Sequence, residues 1–360
     1  MIWYNVRLKG HSNADRNSME ILANPDQSVT SSWNWQQYMK SALRSVQDLL
    51  AEVNLESELT DLPAEALAFP VFVPRPYLDR IKKGDAADPL LRQVLPVPEE
   101  GQSPAHFSTD PLGEQAATLN DGLIQKYSKR VLVIASAVCA INCRYCFRRH
   151  FPYETAAIGN VRWQETVEAI RSDASINEVI LSGGDPLTVA DEKLDEVFQL
   201  IADVDHVERI RIHTRLPIVI PQRVTDGLLE SMWKFRKSRA GRQMIVVVHT
   251  NHANELDDKS SDALRQLSET ATQVLNQSVL LAGVNDNVDV LVDLSEGLLA
   301  ANVLPYYLHR MDPILGTAHF EVSTERGIEL IEAMRARLPG FAVPRFVQEL
   351  AGEPSKTVLA

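Results

Sequence analysis

"RVLVIASAVCAINCRYCFRRH", residues 130–150, holds two signals in one stretch. Its first half is a continuous apolar run, as expected of a strand buried on both faces of a parallel sheet. Its second half carries Cys139, Cys143 and Cys146, the only 3 cysteines in 360 residues, followed at once by Arg148, Arg149 and His150. Similar apolar runs recur at 178–184, 209–215, 244–250, 274–283 and 303–309. Helix-length amphipathic segments separate them, at 162–173, 191–203, 224–238, 255–271, 286–301 and 323–338. Strand–helix units in series predict a parallel α/β sheet, either an incomplete barrel or a doubly wound sheet. Asp185, His213 to Arg215, His249 to Asn251 and His309 fall at the C-terminal ends of these strands, the edge where both architectures build active sites.

Upstream, residues 1–30 read as a loose polar extension, and a helical rhythm begins at 31 with Ser32 as its cap. Residues 31–125 form an N-terminal helical region with proline-punctuated turns, and 126–350 carry the sheet. The composition is that of a globular protein, 45% hydrophobic and 23% charged. A formal charge of −12, from 36 Lys+Arg against 48 Asp+Glu, disfavours a nucleic-acid partner. No apolar run approaches the roughly 20 residues of a membrane span, and the N-terminus lacks a signal-peptide pattern. A cytoplasmic protein with no membrane partner is the expectation, and three free thiols agree with it.

The thiols admit several readings. Spacings of four and three would put them on one helix face as ordinary core residues, yet confinement of every cysteine to one segment argues against that. Structural zinc wants four ligands, and His150 is the one nearby candidate for the fourth. The third reading is a [4Fe–4S] cluster on three thiolates, with one iron open to a small ligand.

CxxxCxxC after the first strand of a parallel α/β domain resembles the radical S-adenosylmethionine superfamily. "SGGDP" (182–186) is similar to that superfamily's glycine-rich turn, which implies that Gly183, Gly184 and Asp185 hold the cofactor's amino group. More particular motifs, "NCRYCFRRHF", "HTRLPIVIPQRVT", "LNQSVLLAGVNDN", "PYYLH" and "GFAVP", resemble the lysine 2,3-aminomutases from about residue 70 to 360. The resemblance implies a partial (β/α)6 TIM-like barrel with an N-terminal helical extension, and three cofactors: the [4Fe–4S] cluster, S-adenosylmethionine and pyridoxal 5′-phosphate. It implies that Lys356, in the C-terminal segment 351–360, is the Schiff-base lysine. Arg130, Arg215 and Gln277 match positions near the pyridoxal phosphate. Arg148 matches the arginine that pairs with the substrate carboxylate. Asp312 and Glu349 match two carboxylates that hold the lysine side-chain ammonium.

"CRYCFRRHFPY", "GEPSK" and the end of the chain four residues beyond Lys356 are similar to the bacterial branch that makes (R)-β-lysine for elongation factor P. That branch implies L-lysine as substrate, a functional link to the factor and its β-lysine ligase, and a low-potential reductase or flavodoxin as electron donor. A general free-lysine aminomutase, and a non-catalytic iron–sulfur or zinc-binding regulator, are the alternatives. The oligomeric state is not legible.

Overall fold

The computed structural model describes residues 33–58, 61–120, 122–153 and 162–360. Within them one sheet holds 10 strands in the order in which they occur along the chain. They are β1 (Thr118–Asn120), β2 (Leu123–Ile124), β3 (Arg130–Ser136), β4 (Glu178–Gly183), β5 (Arg209–Thr214), β6 (Gln243–Val248), β7 (Gln273–Leu280), β8 (Leu304–Arg310), β9 (Arg345–Gln348) and β10 (Thr357–Val358). From β3 to β9 each strand pairs in parallel with the next. The pair β1–β2 joins β3 antiparallel, and β10 joins β9 antiparallel.

This order settles which of the two architectures is present. A doubly wound sheet reverses its strand order at a switch point, whereas a barrel winds one way throughout. No reversal occurs here. The two ends of the sheet also approach one another: Lys126, just after β2, reaches Glu349, just after β9, with Nζ to Oε1 at 2.7 Å. The sheet is therefore an incomplete barrel whose seam is bridged by side chains.

The long helices fill the crossovers, at Arg162–Ser172, Asp191–Ala202, Asp226–Lys237, Asp258–Thr270, Val288–Ala300 and Thr324–Arg335. Their starts follow from capping side chains. Thr225, Asp257, Asn287 and Ser323 each accept a hydrogen bond from a backbone N–H of the first turn, satisfying donors that the helix leaves open.

The single rhythm predicted from residue 31 proves to be two helices, Trp35–Lys40 and Val46–Glu52, broken where Leu43 bridges to Val73. Ser32 lies outside the described residues. The cap of the first helix is Asn34, in a reciprocal capping box with Gln37. The sheet also begins before position 126, with β1 and β2. Asn34–Ala360 form one compact unit, so the N-terminal helices and the last ten residues belong to the same body as the sheet.

Between β7, β8, β9 and the last two helices lies a core cluster with Leu280, Leu308, Leu330, Ile331, Met334 and Phe346 at or below 2% exposure. Gly327 lets the final helix lie against it, since a Cβ there would stand 2.3 Å from the Phe346 ring. Gly327→Ala should therefore destabilise the fold by about 1–3 kcal/mol, the usual cost of overpacking, and thermal unfolding would show it as a lower melting temperature. Among the described residues no helix is long and apolar enough to cross a membrane.

Candidate active site

The three cysteines sit in an irregular loop after β3, not on a helix, so the helical-face reading falls. The residues between them explain why the loop holds its shape. Arg144 is wholly buried, donating from Nε to Glu100 (2.8 Å) and from Nη2 to the Ala66 carbonyl (2.9 Å). Arg149 joins the same carboxylate at 2.8 Å. A buried guanidinium needs such a partner, because unpaired it would cost several kcal/mol. These two arginines staple the loop to the N-terminal helices. His150 Nε2 lies 3.2 Å from the Leu315 carbonyl, and His150 is not among the residues lining the cavity described below.

On the other side of the loop Tyr145 is buried under it, with its hydroxyl 2.7 Å from Asn251 Nδ2 and 2.8 Å from His249 Nε2. With Arg144, Tyr145 and Arg149 directed into protein, Cys139, Cys143, Cys146 and Arg148 are left facing a cavity of about 370 Å³. Also lining the same cavity are Gly183, Gly184 and Asp185; Arg130, Arg215 and Gln277; Asp312, Glu349 and Lys356. Arg149, His150, Thr250 and Asn251 are not among its lining residues.

Their individual environments differ from one another. The Gly184 N–H donates to the Ser136 carbonyl and the Asp185 N–H to the Val138 carbonyl, both at 2.8 Å. A Cβ on Gly184 would stand 2.5 Å from the Val138 oxygen. The glycines thus allow β4 to press against the start of the thiol loop. The Asp185 carboxylate accepts from the Leu187, Arg215 and Leu216 N–H groups and from the Thr214 hydroxyl. It braces the ends of β4 and β5, and its lone pairs are spent on the chain. Gly183 in this turn also lines the cavity, and its backbone carbonyl accepts from the Tyr153 hydroxyl at 2.8 Å and from Arg148 Nη1 at 3.4 Å.

Arg215, which also lines the cavity, spends its guanidinium on protein partners. Its Nη1 donates to Cys143 Sγ at 2.6 Å and to the Tyr145 hydroxyl at 2.8 Å. Its Nη2 donates to Gln93 Oε1 and Glu255 Oε2, each at 2.7 Å. The guanidinium serves the thiol loop.

An alternating row of charges crosses the cavity. Arg148 grips Glu114 through Nε (2.7 Å) and Nη2 (2.8 Å), while its Nη1 points to Ser182 Oγ at 3.0 Å. Glu114 lies 3.2 Å from Lys126 Nζ, Lys126 pairs with Glu349, and Glu349 pairs with Lys356. Burial would raise the Glu349 carboxyl, but Lys356 and Lys126 outweigh it and hold it at about 2. Asp312 has no such partner: burial first, then the nearby Glu349 charge, push it up to about 7. Glu114 and Lys126 stand in no recognisable motif, and their part in the site emerges only in three dimensions.

The contents suit the implied cofactors. Among the described residues no His, Cys, Asp or Glu group closes around a point as one metal ion demands. A cluster takes each thiolate on a separate iron, so its ligands stand wider apart. Cys146 is raised to about 11 by burial and then by the charge of Cys143, so the sulfurs are close enough to repel as thiolates. Iron would displace those protons. In the cavity that Lys356 lines, several buried polar atoms lack partners: the donor Arg211 Nε, and His213 Nε2 and His309 Nε2. Burial, then Lys356, hold His309 at about 3, so its ring is neutral. An amine in one cavity with unsatisfied polar atoms fits a phosphorylated aldehyde.

No protein-family model matches the chain. It is 41% identical to the L-lysine 2,3-aminomutase of Escherichia coli (strain K12) over 329 residues, which cover 91% of this chain and 94% of that one. It is 40% identical to the L-lysine 2,3-aminomutase of Haemophilus influenzae over 328 residues, covering 91% and 96%. The enzyme of the same name from Clostridium subterminale is 33% identical over 327 residues, covering 90% of this chain and 77% of its own. A solved radical SAM methyltransferase from Sphaerobacter thermophilus aligns over 62% of this chain and 68% of its own, with a TM-score of 0.41 and 18% identity, too slight a likeness to add to the strand order.

Proposed function

The chain belongs to the lysine 2,3-aminomutase family, and from that membership we propose that it moves the amine of L-lysine from C2 to C3, converting (S)-α-lysine to (R)-β-lysine. The observation that carries the reading is one cavity lined both by the three thiols and by Lys356, Glu349 and Asp312. When bound, the cluster with S-adenosylmethionine supplies one-electron hydrogen-removing chemistry, and pyridoxal phosphate supplies the π system that eases amine migration.

The chain's own residues do the rest. Cys139, Cys143 and Cys146 hold iron. Lys356 is the amine that retains pyridoxal phosphate, with Arg130 and Gln277 beside it and neutral His309 offering a hydrogen bond without competing charge. The turn of Gly183, Gly184 and Asp185 receives the amino group of S-adenosylmethionine. Arg148 recognises the substrate α-carboxylate, for which a rigid fork is suited, and Glu114 keeps that fork oriented. Asp312 and Glu349 receive the ε-ammonium. Two carboxylates facing a cation reject a substrate with an uncharged or anionic side chain, since their own charge would be left uncompensated.

In this reading β-lysine goes to a ligase that attaches it to elongation factor P, the electron comes from a low-potential reductase or flavodoxin, and the protein works in the cytoplasm. The sequence motifs shared with that bacterial branch support the assignment.

The decisive experiment supplies anaerobically reconstituted protein with S-adenosylmethionine, dithionite, pyridoxal phosphate and L-lysine, then separates the amino acids by chromatography with mass detection. β-Lysine is expected; unchanged lysine from iron-replete protein would leave a non-catalytic iron–sulfur regulator standing. Deleting the gene should strip β-lysine from elongation factor P. Persistence of that modification would favour a general metabolic aminomutase.

A further inference from the structure

We propose that Arg215 sets the reduction potential of the iron–sulfur cluster through its hydrogen bond to the Cys143 sulfur, with Glu255 as the counter-charge that moderates it. The proposal rests on the cluster reading above and adds a role that the resemblance does not imply.

The geometry is specific. Arg215 follows β5, and its backbone N–H is tied to Asp185 at 2.7 Å, so the residue's position is fixed from β4. Its side chain then crosses to the thiol loop and ends on Cys143 Sγ at 2.6 Å. The planar group cannot rotate away, because Tyr145, Gln93 and Glu255 take the other Nη hydrogens. Glu255 is itself wholly buried and held by the Asn251 N–H at 2.9 Å and the Gln93 side chain at 3.2 Å. One cation and one anion are thus locked in protein at unequal distance from the sulfur, the cation in contact and the anion behind it.

Reduction adds one electron to the cluster and hence one negative charge. A cation donating to a ligand sulfur stabilises that added charge, and hydrogen bonds to sulfur are a recognised control of cluster potential. Water, which would screen the effect, is kept from the pair by burial. Arg215 therefore makes reduction easier, and Glu255 makes it harder. The electron itself comes from an external low-potential donor.

The two residues make opposite predictions, which mere loosening of the loop would not. In a redox titration of the reconstituted protein followed by electron paramagnetic resonance, Arg215→Gln should lower the reduced-to-oxidised ratio at fixed ambient potential by at least about tenfold, or 59 mV for one electron. Glu255→Gln should raise it. The double variant leaves no lone buried charge, so it keeps the test alive if Arg215→Gln does not fold; lacking the charged donor to sulfur, it should titrate below wild type. Iron content and circular dichroism are measured alongside. Variants with full iron that titrate with wild type, or that all shift the same way, overturn the proposal and leave the aminomutase reading intact. Wild-type protein that binds no iron overturns both.

Discussion

Lys356→Ala is expected to abolish β-lysine formation, by at least about 10³-fold as loss of a covalent catalyst does, while iron content stays at the wild-type level. Two lysines line the cavity, Lys126 and Lys356, and both contact Glu349, so the sequence neighbourhood alone does not choose between them. Their surroundings do. Lys126 is clamped between Glu114 and Glu349, whereas Lys356 has one carboxylate and lies near the neutral rings of His213 and His309. To react, Lys126 would have to leave two carboxylates, and Lys356 only one. Borohydride treatment of the pyridoxal-loaded protein should label wild type and Lys126→Ala, and should not label Lys356→Ala. Label found on Lys126 would reverse the assignment. The fold should tolerate the change, because Glu349 keeps Lys126 and Lys356 is 22% exposed at its side chain.

The second large effect concerns Asp312. Its carboxyl titrates at about 7 in the ligand-free site, raised by burial and then by Glu349. An incoming ammonium favours the ionised form, so lysine affinity should weaken up to tenfold per unit as pH falls below 7. Asp312→Asn should remove that pH dependence and cost about 2–5 kcal/mol of lysine binding, roughly 30- to 4,000-fold, the range for truncating one side of a buried charge pair.

Stability should respond in the opposite sense. Between the unfolded value of 3.8 and about 7 the folded chain holds a proton that the unfolded chain has released. This group's contribution is therefore intact below about pH 4 and is lost as pH climbs through 7. Asp312→Asn should raise the melting temperature of the ligand-free protein at pH 8 and do little at pH 4. A variant with unchanged lysine affinity, or one whose stability gain is the same at both pH values, would exclude this account of Asp312.

Much of the barrel could be read in advance because β3, β4 and β6 are mostly buried apolar runs and the helices have clear apolar stripes. β5 and β7 instead alternate buried with more exposed positions, a pattern that reads equally as strand. The short β9 and two-residue β10 have no such signature; β9 exists because β8 offers it an edge, and β10 because β9 does. The thiol loop was conspicuous by composition. Glu114 and Lys126 were not, since an isolated Glu and Lys ordinarily face water, and only the meeting of the sheet's ends gives them partners. Asp185 and Arg215 were recognised as belonging to the site, but periodicity carries no information on which way a buried polar side chain spends its hydrogen bonds.

The winding of the sheet has a practical meaning for anyone purifying this protein. The thiol loop hangs from one flank of a ribbon and Lys356 from the other, and only full bending of that ribbon brings them to one cavity. Under the reading proposed above, a half-curled molecule would take up iron and not pyridoxal. With both cofactors supplied in excess, the ratio of brown to yellow should then follow the share of molecules that have completed their curl.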